Sequence, residues 1–132
     1  MARRRISPAD GQAALSAWAA GDATGAQTRA AVRYTLEELA EAAPGNSVEV
    51  RVPPAGVIQV IAGPRHTRGT PPNTVEMAPQ VWLRLVTGKA AWQEEVAAGN
   101  VRASGTRAEL SEHLPLPGAV AAAGGDGITS TS

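Results

Sequence analysis

A short run of basic side chains, Arg65-His66-Thr67-Arg68, is the clearest group of residues in the chain that could bind a ligand through charge. Arginine presents a planar fork of donors that suits phosphate and carboxylate oxygens. The run lies in a long loop rich in proline and glycine, where binding residues often occur. We therefore predict that Arg65, His66 and Arg68 bind the anionic head group of a ligand. The alternative is a solvated loop whose arginines pair with nearby carboxylates.

Residue combinations that would support catalysis or bind a metal are missing from the sequence. The chain has no cysteine, which excludes disulfides, thiol nucleophiles and thiolate-bound metals. The only two histidines, His66 and His113, lie far apart in the sequence, and neither belongs to a recognisable metal-binding motif. Ser104 and Ser111 could supply hydroxyls, but no nucleophile elbow surrounds them. The sequence thus predicts a protein that is not an enzyme, with no catalytic residue, metal or cofactor.

Charge and hydropathy narrow the possible partners and location. The formal net charge is zero, so nothing in it favours nucleic acid. No run approaches the roughly 20 apolar residues of a membrane-spanning helix, so we expect no integral membrane segment. Arg3-Arg4-Arg5 is followed by polar residues, unlike the start of a signal peptide. We therefore expect a cytoplasmic protein.

The first half of the chain predicts two helices and a β-hairpin. Ser7 and Pro8 are suited to begin a helix that Gly21 ends. A second helix has one apolar stripe, formed by Val32, Leu36, Leu39, Ala40 and Ala43. Alternation then predicts a strand over 48–52, a turn over 53–56 and a second strand over 57–62. Because only Gln59 is polar in the second strand, we expect it to be the more central of the two.

The second half predicts shorter elements. A strand over 73–77 precedes a helix that begins at Pro79 and ends before Gly88. A short helix follows over Trp92 to Val96, then a strand over 101–104. Thr106 and Glu109 are spaced as a capping box for a last helical turn. Beyond Leu116 almost every side chain is small, so disorder is expected from about Pro117.

The order of elements over residues 74–105 resembles the sterol carrier protein family. The resemblance rests on Thr74-Val75-Glu76-Met77, on the helix ending in Leu85-Val86-Thr87-Gly88-Lys89, and on Gly99 and Gly105 around the last strand. It is also similar to the C-terminal domain of mycothiol-dependent isomerases. The resemblance implies a bacterial α+β domain over 23–116, with a four- to five-stranded mixed sheet covered on one face by helices. A separate helix (1–22) would precede it, and a disordered tail (117–132) would follow.

What the resemblance implies for function is non-catalytic binding or transfer of a lipid or other hydrophobic small molecule. The ligand would lie in a cleft between the sheet and the helices of residues 79–98. Besides the basic loop, the candidate lining residues are apolar: Ile58, Val60, Val75, Met77, Trp82, Leu85, Val86 and Val96. The alternative is that these side chains simply fill the core. The protein would then be an accessory or interaction module that binds a protein partner.

Overall fold

The computed structural model describes residues 5–63 and 73–124, in which five α-helices and four strands form. The helices are α1 (Pro8–Ala19), α2 (Gly25–Ala42), α3 (Pro79–Val86), α4 (Trp92–Ala97) and α5 (Pro117–Ala122). The strands are β1 (Val48–Val52), β2 (Gly56–Val60), β3 (Asn73–Met77) and β4 (Val101–Ser104), and a 3-10 turn covers Ser111–His113. The four strands form one mixed sheet in the order β2-β1-β3-β4, in which only β1 and β3 are parallel. This confirms the predicted α+β class.

Helices cover one face of this sheet and leave the other polar. In β1, Val48, Val50 and Val52 are buried and alternate with charged residues, as the sequence predicted. On the opposite face Arg51 lies 3.0 Å from the carboxylate of Glu49. The sheet therefore has a single apolar face, against which the core is built.

The predicted position of β2 in the sheet was wrong. β2 lies at the edge, paired only with β1 among the described strands, and its Val57 is 54% exposed. It also ends at Val60 and not at residue 62. The reason is that Ile61 leaves the strand with φ 69° and donates its N–H to the carbonyl of Ala43 (2.6 Å). The apolar sequence of β2 therefore belongs to an edge strand and does not indicate a central one.

The helix ends largely follow local sequence signals. The Ser7 hydroxyl accepts a hydrogen bond from the N–H of Asp10 (3.1 Å) and so caps α1. At the end of α3, Gly88 takes the left-handed conformation (φ 80°), and the N–H of Lys89 bonds to the carbonyl of Arg84 (2.8 Å). This is a Schellman motif, which glycine forms without a steric penalty.

The two predictions for the C-terminal region were wrong. Thr106 and Glu109 begin no helix; the chain turns there and forms the 3-10 turn Ser111–His113 instead. Disorder does not start at Pro117, because α5 occupies 117–122 and buries Ala119 and Val120. Its small side chains allow this segment to pack against the end of α3 and against α1. The remaining tail, 125–132, lies outside the described residues.

A buried hydrogen bond fixes α3 against α2. The indole of Trp82 is fully buried, and its Nε1 donates to the hydroxyl oxygen of Thr35 (2.8 Å), which is also fully buried. The Thr35 hydroxyl in turn donates to the carbonyl of Ala31 (2.8 Å). A buried indole N–H left without an acceptor would be costly, so this pair determines where the Trp82 indole lies in the core.

Gly11 sets the distance between α1 and α2. A Cβ atom on Gly11 would lie 2.2 Å from the ring of Tyr34, which is 4% exposed and has little room to move. Replacing Gly11 by alanine favours the helix by about 1 kcal/mol, but overpacking costs about 1–3 kcal/mol. We expect Gly11→Ala to destabilise the protein in urea unfolding. Gly118→Ala, which meets no atom within 4 Å, should be neutral or stabilising; equal stability of Gly11→Ala and the wild type would contradict this packing.

Thr35→Val tests the buried pair, because it keeps the shape of the side chain and removes the acceptor of the Trp82 indole. We expect a loss of about 1–3 kcal/mol in the free energy of unfolding, and a smaller loss when the background is Trp82→Phe. Thr28→Val is the matched control, since the Thr28 hydroxyl also bonds to a helix carbonyl but accepts no indole N–H. An unchanged stability of Thr35→Val would show that the hydrogen bond contributes nothing.

Candidate functional site

The structure brings the four sheet residues of the predicted site onto one face. Val50 pairs with both Ile58 and Val75 in the strand register, which places these side chains in one row beneath the helices. Val60, Val75 and Met77 are buried, whereas Ile58 is only half-buried. Of the four, Ile58 retains the most accessible surface.

The helical residues of the predicted site fill the core. Trp82, Leu85 and Val86 of α3 are at most 1% exposed, and they belong to the same apolar cluster as the sheet residues. Val96 of α4 is half-buried beside that cluster. In this conformation the space between the sheet and α3 is therefore occupied by side chains, and the indole of Trp82 takes the largest share.

An open groove lies instead where α2 passes over the edge strand β2. We call it the edge groove; its volume is about 340 Å³ and it is lined by Arg33, Leu36, Glu37, Ala55, Gly56, Val57 and Ile58. Its lining is mostly apolar. The groove is narrow at Gly56, where a Cβ atom would lie 3.3 Å from the Leu36 side chain. Sequence patterns identified only Ile58 here, because the rest of the lining becomes visible only when β2 is placed at the sheet edge.

The rim of the edge groove carries one acidic side chain, Glu37, and one basic side chain, Arg33. Glu37 lies 3.5 Å from the guanidinium of Arg5 and accepts the N–H of Ile6 (3.2 Å). Hydrogen bonding to Glu41, together with the charges of Glu41 and Glu37, raises the pKa of Arg5 above its ordinary value, so Arg5 stays charged. Within residues 5–63 and 73–124, Arg33 has no carboxylate within 4.0 Å. Arg33 is therefore the cation that the rim offers to a ligand.

A second groove, of about 460 Å³, opens beside the hairpin turn, and we call it the turn groove. Its lining is more polar: Pro53, Glu76, Met77, Ala78, Pro79, Val81, Gly99, Asn100 and Arg102. Glu76 and Arg102 are register partners on neighbouring strands, so opposite charges face each other across its wall. Among the predicted site residues that the structure describes, only Met77 lines this groove.

The basic loop cannot be placed against either groove. Arg65, His66 and Arg68 lie outside the described residues, and their role as a head-group site stays a prediction. Among the residues that are described, no three His, Cys, Asp or Glu side chains cluster in a way that could hold a metal ion. None of the described helices is both long and apolar enough to cross a membrane.

No curated protein matches the chain. A family model described as "Bacterial SCP ortholog" matches residues 24–116, more than two thirds of the 132 residues. The match runs from the start of α2 through all four strands to the residue before α5. The similarity to mycothiol-dependent isomerases stays a resemblance in sequence. The chain belongs to the bacterial SCP ortholog family, which is a sterol-carrier-like family.

Proposed function

We propose that this protein is a non-catalytic binding domain for a lipid or other hydrophobic small molecule, which it holds in the edge groove. Membership of a sterol-carrier-like family supports binding of hydrophobic ligands in general. The observation that carries the choice of site is that Ile58 remains half-buried beside Leu36 and the exposed Val57. Here the apolar face of the sheet meets solvent.

The binding mechanism would be passive. A buried methylene of the ligand gains about 0.8 kcal/mol from leaving water, and ligand sites in proteins usually measure about 300–1,000 Å³. At about 340 Å³, the edge groove suits part of an aliphatic chain or one ring system. A polar end of the ligand would stay at the rim, within reach of Arg33.

The cleft between the sheet and residues 79–98 is a poorer place for the ligand. Opening it requires moving the Trp82 indole from a site where it is fully buried and hydrogen-bonded to Thr35. An empty space of that size would cost several kcal/mol, on the order of a Trp→Ala substitution in a core. Of the predicted lining, Ile58 would therefore contact the ligand, and the buried residues would support it from below.

The second candidate function is an interaction module with a filled core, whose edge groove takes apolar side chains of a protein partner. The full burial of Val60, Val75 and Trp82 favours it, because a carrier with an internal cavity would leave such residues partly open. Both candidates are non-catalytic, and for both we propose a cytoplasmic location.

Ile58→Ser tests the proposed site. It removes most of the apolar surface that Ile58 offers in the edge groove, so we expect the affinity for a fluorescent fatty acid to fall by about tenfold or more. Saturable binding to the wild type should be measured by fluorescence titration and checked by native mass spectrometry.

Gln59→Ser is the matched control. It introduces the same serine one residue along β2, on the opposite face of the sheet, where Gln59 is exposed. Its affinity should equal that of the wild type. Absence of saturable binding to any fatty acid or sterol would overturn the proposed function and favour the interaction module. Equal affinities of Ile58→Ser and the wild type would place the ligand elsewhere.

A further inference from the structure

The turn of the β1–β2 hairpin projects an uncharged, apolar tip. We define the hairpin tip as residues 53–57, Pro-Pro-Ala-Gly-Val. Pro53, Pro54 and Val57 are exposed, and Val57 stands out among the described residues as the large hydrophobic side chain that is most exposed to solvent (54%). Edge strands of folded proteins are usually covered or carry charge, whereas this end of β2 has neither feature within the part of the chain that the structure describes.

Arginines border the hairpin tip on both sides. Arg33 lines the edge groove with Gly56 and Val57, and Arg29 lies one turn earlier on α2, also exposed. On the other side Arg102 shares the turn groove with Pro53, but there it lies opposite Glu76 of the neighbouring strand. The first part of α2 and its cap, residues 24–36, contains no carboxylate, and neither does the hairpin tip.

The carboxylates that line the two grooves, Glu37 and Glu76, already face cations of the same chain. Glu37, at the far rim of the edge groove, lies 3.5 Å from the guanidinium of Arg5. Glu76, in the turn groove, lies 4.0 Å from that of Arg51. Arg29 and Arg33 therefore give the α2 side of the hairpin tip a local positive charge, although the whole chain has no net charge.

We propose that this end of the molecule docks on an anionic lipid surface. The hairpin tip would enter the interface between head groups and acyl chains, and Arg29 and Arg33 would lie against the lipid phosphates. Apolar insertion and basic residues each give weak membrane attachment, and stable attachment usually needs both. The charge complementarity favours an anionic bilayer over a neutral one.

The docked orientation would bring the edge groove to the membrane, because Val57 belongs both to the hairpin tip and to the groove lining. In this respect the inference extends the proposed function, since a bound hydrophobic molecule could pass between groove and bilayer without crossing water. Docking itself needs no ligand in the groove, so the two proposals can fail separately.

Vesicle co-sedimentation of the ligand-free full chain tests the docking surface. We expect binding to vesicles of phosphatidylcholine mixed with phosphatidylglycerol at low salt, and little binding to phosphatidylcholine alone. Raising the salt concentration should weaken the binding, because it screens surface charges. Each arginine at such a surface contributes about fivefold in affinity, so Arg29→Gln with Arg33→Gln should weaken it about 25-fold.

Arg107→Gln is the matched control. Arg107 is exposed, and its backbone N–H bonds to the side chain of Asn73, which pairs with the start of β1 at the opposite end of the sheet. Its binding should match the wild type. The proposal fails if the wild type ignores the anionic vesicles, or if Arg107→Gln weakens binding as much as the double variant. It also fails if sedimentation shows a dimer that Val57→Ser dissociates, since the hairpin tip would then join two copies.

Discussion

The hydrogen bond between the Trp82 indole and the Thr35 hydroxyl lies at the centre of the molecule, where α3, α2 and the sheet meet. Both residues are fully buried. The indole is the largest fully buried side chain in the core, and its N–H needs an acceptor wherever it is buried. Once Thr35 supplies that acceptor, the indole occupies the space that a central ligand cavity would need. The sheet face is then closed beneath α3.

Because side chains fill the space under α3, the accessible apolar surface of the sheet lies at its edge. β2 lies at the sheet edge, and α2 covers only one of its faces. Ile58 therefore stays half-buried in the edge groove, and Val57, on the other face, is exposed. The same edge ends in the hairpin tip, next to Arg29 and Arg33. The proposed hydrophobic binding and the proposed attraction to an anionic surface would therefore arise from one constraint, which is that α2 and the sheet enclose the core but leave the end strand open.

Local signals in the sequence predicted most of the elements, because they depend on neighbouring residues. The alternation in β1 and the Gly88 cap are examples. The position of β2 depends on pairing across the sheet, and an apolar strand looks the same at the edge as in the centre. α5 forms a helix because Val120 and other small side chains fit beside the end of α3. Composition alone does not show this fit. The burial of the predicted site residues could not be predicted for a similar reason: the burial of Trp82 follows from the position of Thr35, 47 residues earlier.

We propose that a hydrophobic ligand lies in the edge groove and not under α3. Photo-crosslinking with a fatty acid that carries a diazirine on its chain, followed by peptide mapping, tests this most directly. The label reports the ligand's neighbours in the unmodified protein, so no variant has to fold. We predict adducts on the peptides that contain Leu36 and Ile58, which line the edge groove. Adducts concentrated on α3, at Trp82 or Val86, would contradict the account, since they would show that the core opens to admit the ligand.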